Sequence, residues 1–163
     1  MTRLDVEAHH FLVIPNATRA GSEQTHNNDL LTIKAMKKRA AEGLIQPSAV
    51  DWVDYDMNTA SIRRIIQQAD ILVTSRYHAM ISGLCLNIPT LVIGWSHKYI
   101  ETMAYFGLVE YTLDFNRDDV CIASAIMDMF SKKQDIKTKM KNSLPVVRRM
   151  SQKQFDYLTQ VLK

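Results

Sequence analysis

Ile71-Leu72-Val73-Thr74-Ser75-Arg76-Tyr77-His78, followed by Thr90-Leu91-Val92-Ile93-Gly94-Trp95-Ser96-His97-Lys98-Tyr99, is the stretch whose reading decides the fold. Two apolar runs, Ile71 to Val73 and Thr90 to Ile93, each end abruptly in polar and cationic residues. The segment between them, Ala79 to Asn87, is long enough for about two turns of helix. This is a strand–helix–strand unit with chemistry at the carboxyl end of both strands. In an open parallel sheet, ligands bind in the crevice beyond those ends. Arg76, His78, His97 and Lys98 are therefore expected to converge on one small volume, and their shared preference is for an anion.

Outward from this unit, strand-like and helix-like segments alternate. His10 to Pro15 is a β-rich run closed by proline. Asn27-Asn28-Asp29 supplies helix-start chemistry ahead of Leu30, Ile33, Met36, Ala40 and Leu44, which repeat with the helical period, and Gly43 lies near the end. Ala49 to Val53 reads as a second strand preceded by Pro47. Asn58-Thr59 caps a predicted helix through Gln68 with Ile62, Ile65 and Ile66 on one face. Asp70 leads into the third strand, and Ile88-Pro89 opens the fourth. Lys98 to Phe106 is predicted helical with Gly107 placed to end it, and Val109 to Leu113 reads as a short strand. Asp118-Asp119 suits the first turn of a helix, where carboxylates oppose the positive end of the dipole. The core face of that helix is Val120, Ala123, Met127 and Phe130. A last helix is predicted from Pro145, with Val147, Met150, Phe155, Leu158, Val161 and Leu162 on a broad apolar face that Gln154 interrupts. Strands interleaved with helices predict one α/β domain, a Rossmann-like open parallel sheet with helices on both faces.

The bulk numbers bound the function. The 163 residues suffice for one good core, and 47% hydrophobic with 23% charged residues is the balance of an ordinary globular protein. Cys85 and Cys121 lie in apolar contexts and read as buried thiols of a reducing compartment, so a cytoplasmic location is expected. Met1 to Ala8 has neither the cationic start nor the apolar run of a secretory signal, and no apolar stretch approaches a membrane span. Net charge is +3, yet residues 131–163 hold nine Lys/Arg against two acidic residues. Such an arm suits nucleic acid or the inner face of an anionic membrane; more simply, it is the solvated face of a terminal helix. Trp52, Trp95 and the tyrosines are not interleaved with basic residues as a base-stacking platform, so no nucleic-acid partner is expected. Peripheral membrane contact stays open.

Each half of the candidate site has a plainer explanation. Arg76 and His78 stand where a strand turns into a helix, whose unpaired N–H groups favour an anion. Arginine adds a fork that matches carboxylate or phosphate oxygens, and histidine exchanges protons near neutral pH. In the plainer reading Arg76 pairs with a surface carboxylate and His78 caps the helix. Gly94 suggests that the backbone there approaches something closely, and Ser96 is a candidate N-cap beside His97-Lys98; the plainer reading is a capped loop with a solvated lysine. The loop from Asn16 to Asn28, with Arg19, His26 and Asn27, is long for a compact α/β connection and opens at the same sheet edge. There is no Walker loop, no G-x-G-x-x-G, no H-E-x-x-H, no C-x-x-C and no G-x-S-x-G, which argues against the usual glycine-built nucleotide cradle, the common zinc motifs and the α/β-hydrolase reading.

Asp70-x-x-Val73-Thr74-Ser75-Arg76-Tyr77-His78, Ile88-Pro89-Thr90 and Gly94-Trp95-Ser96-His97-Lys98-Tyr99-x-Glu101 together resemble the polysaccharide pyruvyl transferase family. Phe106-Gly107-Leu108 and an early strand followed by Asn28-Asp29 fit the same pattern, so the likeness runs across most of residues 10–115. The resemblance implies a fold similar to the glycosyltransferase B type, with two Rossmann-like halves and the active site between them. Residues 1–163 would be the C-terminal half, with 116–163 a helical extension, and a separate N-terminal domain or a homo-oligomer would be the partner. It also implies phosphoenolpyruvate as donor substrate, a saccharide acceptor, ketal formation in cell-surface or exopolysaccharide synthesis, and no metal or other cofactor. Arg76 would bind the donor anion and His78 would donate a proton or contact phosphate. His97 and Lys98 would complete the cationic pocket, with Ser75, Gly94, Asn16 and Asn28 as further substrate contacts. Two other readings stay open: the C-terminal half of a nucleotide-sugar glycosyltransferase, for which Glu101 is the one nearby ribose ligand, and a non-catalytic subunit that docks an N-terminal partner.

Overall fold

Short β-rich runs alternating with helical periodicity produce an α/β fold of parallel strands. The computed structural model describes residues 9–19, 21–44, 50–94, 96–117 and 120–162. Pro47, Ala49, Trp95 and the Asp118-Asp119 pair lie outside them. The chain divides into two compact units, residues 1–65 and 66–163, and each is described by itself.

In the first unit, β1 (Phe11–Val13) pairs in parallel with β2 (Val50–Trp52), Phe11 opposite Val50. Helix α1 (Asp29–Arg39) runs on into a π-helical turn, Ala40–Leu44, that contains Gly43. Of its periodic apolar residues Ile33 and Ala40 are buried, whereas Met36 is exposed. In α2 (Thr59–Ile66), whose last residue falls in the second unit, Ile62 is buried, and the Asn58 side chain accepts a 2.9 Å bond from the Ser61 amide, the N-cap expected from the sequence.

The second unit holds a parallel sheet of β3 (Leu72–Thr74), β4 (Thr90–Ile93) and β5 (Thr112–Leu113), with β4 in the middle. A strand flanked on both sides reads as a continuous apolar run, and Leu91 and Val92 are accordingly 0% exposed. Helix α3 (Tyr77–Cys85) connects β3 to β4 and packs on both. It ends in a six-residue closure, the Ile88 amide donating to Gly83 at 2.9 Å with Asn87 at φ 60°. Helix α4 (His97–Ala104) ends the same way at Gly107, φ 66°, where the Leu108 amide donates to Met103 at 3.0 Å. Parallel strands joined by helices match the Rossmann-like open sheet expected from the sequence.

Four local expectations are corrected. Residues 109–113 begin with a 3-10 turn, Val109–Tyr111, so β5 is shorter than expected. Helix α5 (Ile122–Ser131) buries Ile126 and Met129, while Met127 is 39% exposed; its inward face is rotated from the one the sequence suggested. Helix α6 (Lys133–Val161) starts well before Pro145 and carries it in its interior. A proline there loses one backbone bond, but Ile136 and Met140 are buried on the preceding turns and hold the helix in place. Beyond Pro145 the apolar side chains Val146, Met150, Phe155, Leu158 and Val161 are exposed. Finally, Cys121 is exposed, not buried, and Cys85 is half-buried. Among the described residues no helix is long and apolar enough to cross a membrane.

Polar ties fasten the second unit. The Lys133 ammonium donates to Asp70 at 2.6 Å and holds that carboxyl below its ordinary range, so the Asp70 of the motif tethers α6 at the entry to β3. The buried Tyr111 hydroxyl donates to Asp128 at 2.9 Å. Burial first, then that bond, raise the Tyr111 pKa above its ordinary 10.0. The folded state therefore holds this proton more tightly than the unfolded chain. The stabilisation is complete below pH 10.0 and is lost as pH rises beyond it. Tyr111→Phe is expected to cost about 1 kcal/mol at neutral pH and to flatten the alkaline limb of a stability–pH curve measured by urea unfolding.

Candidate anion-binding site

β3 and β4 are parallel neighbours with Thr74 opposite Val92, so both chains leave the sheet at one edge. Residues 75–78 on one side, and Gly94 with residues 96–98 on the other, consequently emerge side by side. The Thr74 hydroxyl accepts the Arg76 amide at 3.0 Å, which turns the backbone out of the strand. Arg76 is the N-cap residue of α3, with φ −102° and ψ 124°, and is half-buried. His78 lies in the first turn of α3 and is exposed. Ser96 is the N-cap residue of α4 and makes no side-chain capping bond; His97 and Lys98 form the first turn and are exposed. Arg76, Ser75, His78, Gly94, His97 and Lys98 thus share one edge of one sheet, with two helix N-termini beside them.

The contacts that join the halves run through two tyrosines the sequence reading did not count as site residues. The Tyr99 hydroxyl donates to the Ser75 carbonyl at 3.0 Å, crossing from the β4 side to the β3 side. Tyr77 and Tyr99 rings lie 5.8 Å apart, and His78 stands edge-on to Tyr77 at 6.0 Å. The Lys98 ammonium lies 5.1 Å from the Tyr77 ring centre and 5.4 Å from that of Tyr99. Gly94 is explained by the same cluster: a Cβ there would sit 2.8 Å from Cε2 of Tyr99. The close approach read from the sequence is real, and the Tyr99 ring is what approaches. Aromatic residues flanking cations within both motifs were the available signal. Gly94→Ala is expected to push the Tyr99 ring aside and to raise the tyrosine fluorescence accessible to iodide quenching.

Asn16 and Asn28 belong to the first unit. The Asn16 and Ala17 amides both donate to the Asp29 carboxylate at 2.9 Å, and the Asp29 amide donates to the Ala17 carbonyl at 2.7 Å. Asn28, only 7% exposed, donates its side-chain amide to the carbonyls of Arg19 and Ser22 at 3.2 and 3.0 Å. The Asn28-Asp29 pair therefore ties down the long loop after β1. The Asn28 Oδ1 has no hydrogen-bond partner among the described residues.

An open cleft of about 470 Å³ lies at the end of β5, lined by Ile100, Thr112, Asp114, Arg117 and Cys121 among others. Ile100 is one turn along α4 from His97, and Arg76, His78, His97 and Lys98 do not line the cleft. Cys121 is the N-cap residue of α5, and its sulfur accepts the Ser124 hydroxyl at 3.2 Å. That bond, with backbone bonds from Ser124 and Ala123, lowers the thiol pKa. Cys121 is expected to react with iodoacetamide faster than Cys85 near neutral pH, as read by peptide mass. Among the described residues no three His, Cys, Asp or Glu side chains are grouped to hold a metal ion.

A family model described as polysaccharide pyruvyl transferase matches residues 3–97, more than half of the chain. The matched region contains Asn16, Asn28, Arg76, His78 and Gly94 and ends at His97. No curated protein and no solved structure matches the chain.

Proposed function

Because the chain belongs to the polysaccharide pyruvyl transferase family, we propose that its cationic sheet edge holds phosphoenolpyruvate for transfer of the pyruvyl group to two hydroxyls of a saccharide. In this reading the chain supplies the C-terminal, donor-binding half of the enzyme. The observation that carries the proposal is the emergence of Arg76-x-His78 and His97-Lys98 side by side from adjacent parallel strands.

The chemistry explains the choice of residues. One saccharide hydroxyl adds to C2 of phosphoenolpyruvate while a proton goes to the methylene carbon, which becomes a methyl group. The second hydroxyl then forms the second C2–O bond as the C2–O bond to phosphate breaks. Inorganic phosphate leaves, and a cyclic ketal bearing the carboxylate remains. Cations on the carboxylate and on the departing phosphate stabilise the charge that develops. Arg76 presents a planar fork to a carboxylate or phosphate. His78 delivers a proton near neutral pH or contacts phosphate. His97 and Lys98, beside the N-terminus of α4, add positive potential from the other strand.

The test is calorimetric titration of the chain with phosphoenolpyruvate, beside an Arg76→Ala/His78→Ala variant and UDP. Saturable phosphoenolpyruvate binding that disappears in the variant is expected. Binding of UDP without phosphoenolpyruvate would transfer the site to a nucleotide-sugar glycosyltransferase. Absence of both from the folded chain would remove the donor site from this half.

A further inference from the structure

We propose that Tyr77 and Tyr99 are positioning residues that hold the Lys98 ammonium at the donor site through their ring faces; the assignment of a use to that ammonium rests on the donor-site reading above. The Lys98 Nζ lies 5.1 and 5.4 Å from the two ring centres, within the range in which a cation is attracted to an aromatic face. Among the described residues it has no carboxylate partner, unlike Lys37, Lys132 and Lys133, each 2.6 Å from an aspartate. That difference has a chemical consequence. A carboxylate partner would cancel the charge of the ammonium and would compete with an incoming anion. Two neutral rings fix the position of the ammonium and leave its charge intact.

The rings are themselves held. Thr102 donates its hydroxyl proton to the Lys98 carbonyl at 2.8 Å. With that proton committed, the 3.1 Å contact between the Tyr77 and Thr102 oxygens has Tyr77 as donor. Tyr99 is fixed at its far end by the Ser75 carbonyl and passes over the Cβ-free face of Gly94. Lysine has a long, flexible stem whose freedom an ordinary site must freeze on binding. Here the freezing is built into the fold, and each ring is anchored across to the other half of the site: Tyr77 to Thr102 of α4 and Tyr99 to the β3 end.

Two measurements on the full chain decide the matter. The first is the lysine ε-CH₂ spectrum of protein with ¹³C-labelled lysine, with Lys98 assigned by Lys98→Arg. The Lys98 signal is expected upfield of the other lysines through the ring currents. It should move to the common position in Tyr77→Leu/Tyr99→Leu and stay upfield in Tyr77→Phe and Tyr99→Phe. A wild-type Lys98 signal at the common position overturns the cage. The second is phosphoenolpyruvate titration as a double-mutant cycle. Tyr77→Leu/Tyr99→Leu is expected to weaken binding about tenfold in the wild-type background and to have no further effect when Lys98 is already alanine. Equal weakening in both backgrounds assigns the tyrosines a structural role and overturns the positioning claim. If wild type shows no phosphoenolpyruvate binding, the donor reading fails, and the ring-current shift alone decides the cage.

Discussion

Gly83→Ala is expected to lower the unfolding free energy by about 1–3 kcal/mol, the usual cost of overpacking, as measured by urea unfolding. Intrinsic preference argues the other way, since alanine is favoured over glycine in a helix interior by about 1 kcal/mol. Packing prevails because of what faces Gly83. A Cβ there would lie 2.3 Å from the Thr90 hydroxyl and 2.9 Å from Cδ2 of Leu72. The leucine methyl can swing away. Thr90 is 0% exposed, sits in the central strand and donates to the Ile88 carbonyl at 2.8 Å, so it has nowhere to go. Gly83 is therefore a point of close approach between α3 and β4, and displacing α3 would also displace Arg76 and His78 at its start. Thr90→Ala removes the offending oxygen and leaves the Thr90 Cβ position 3.5 Å from the new methyl group, an ordinary contact. The double variant should recover most of the loss, giving a favourable coupling between the two substitutions. Simple additivity would show that α3 accommodates the methyl group by another route.

Arg76→Ala is expected to weaken phosphoenolpyruvate binding about 10- to 100-fold, because hydrogen bonds to charged groups contribute about 1.5–3 kcal/mol and about 1.4 kcal/mol is a factor of ten. Arg76 sits at the turn where β3 becomes α3, its amide fixed on Thr74. Its side chain starts at the positive end of the α3 dipole. Arg76→Lys keeps the charge and loses the fork, so it should recover only part of the affinity. Full recovery by lysine would mean that charge alone is read at this position. A variant indistinguishable from wild type would place the donor anion elsewhere. Calorimetry with the melting temperature measured in parallel separates lost binding from lost structure.

Much of the architecture was legible because its causes are local. Apolar runs ending at Val73 and Ile93 marked two strands, and the Asn58 cap and the Gly107 stop depend on residues close in sequence. The expectation that Arg76, His78, His97 and Lys98 share one edge followed from strand–helix–strand connectivity. Misreadings fell where a local rule met a distant contact. Proline ordinarily opens a helix, yet Pro145 sits inside α6, whose earlier turns are held by the buried Ile136 and Met140. The face of α5 was misjudged because its apolar residues are numerous enough to offer more than one stripe, and burial selected Ile126 and Met129.

By itself, then, the sequence determined the α/β class, the order of the elements, the cationic strand ends and the family motifs, since period, caps and breakers act over a few residues. Tertiary structure alone decided that Gly83 must stay bare under Thr90, that Gly94 makes room for Tyr99, that Asn28-Asp29 fastens the long loop, and that Lys98 rests on two rings. The facts about Gly83, Gly94 and Lys98 depend on the register of β3 against β4 and on how closely α3 and α4 approach the sheet, and the loop tie depends on residues a dozen positions apart meeting at Asp29. Register and approach come from the fit of side chains far apart in the chain, which no local pattern encodes.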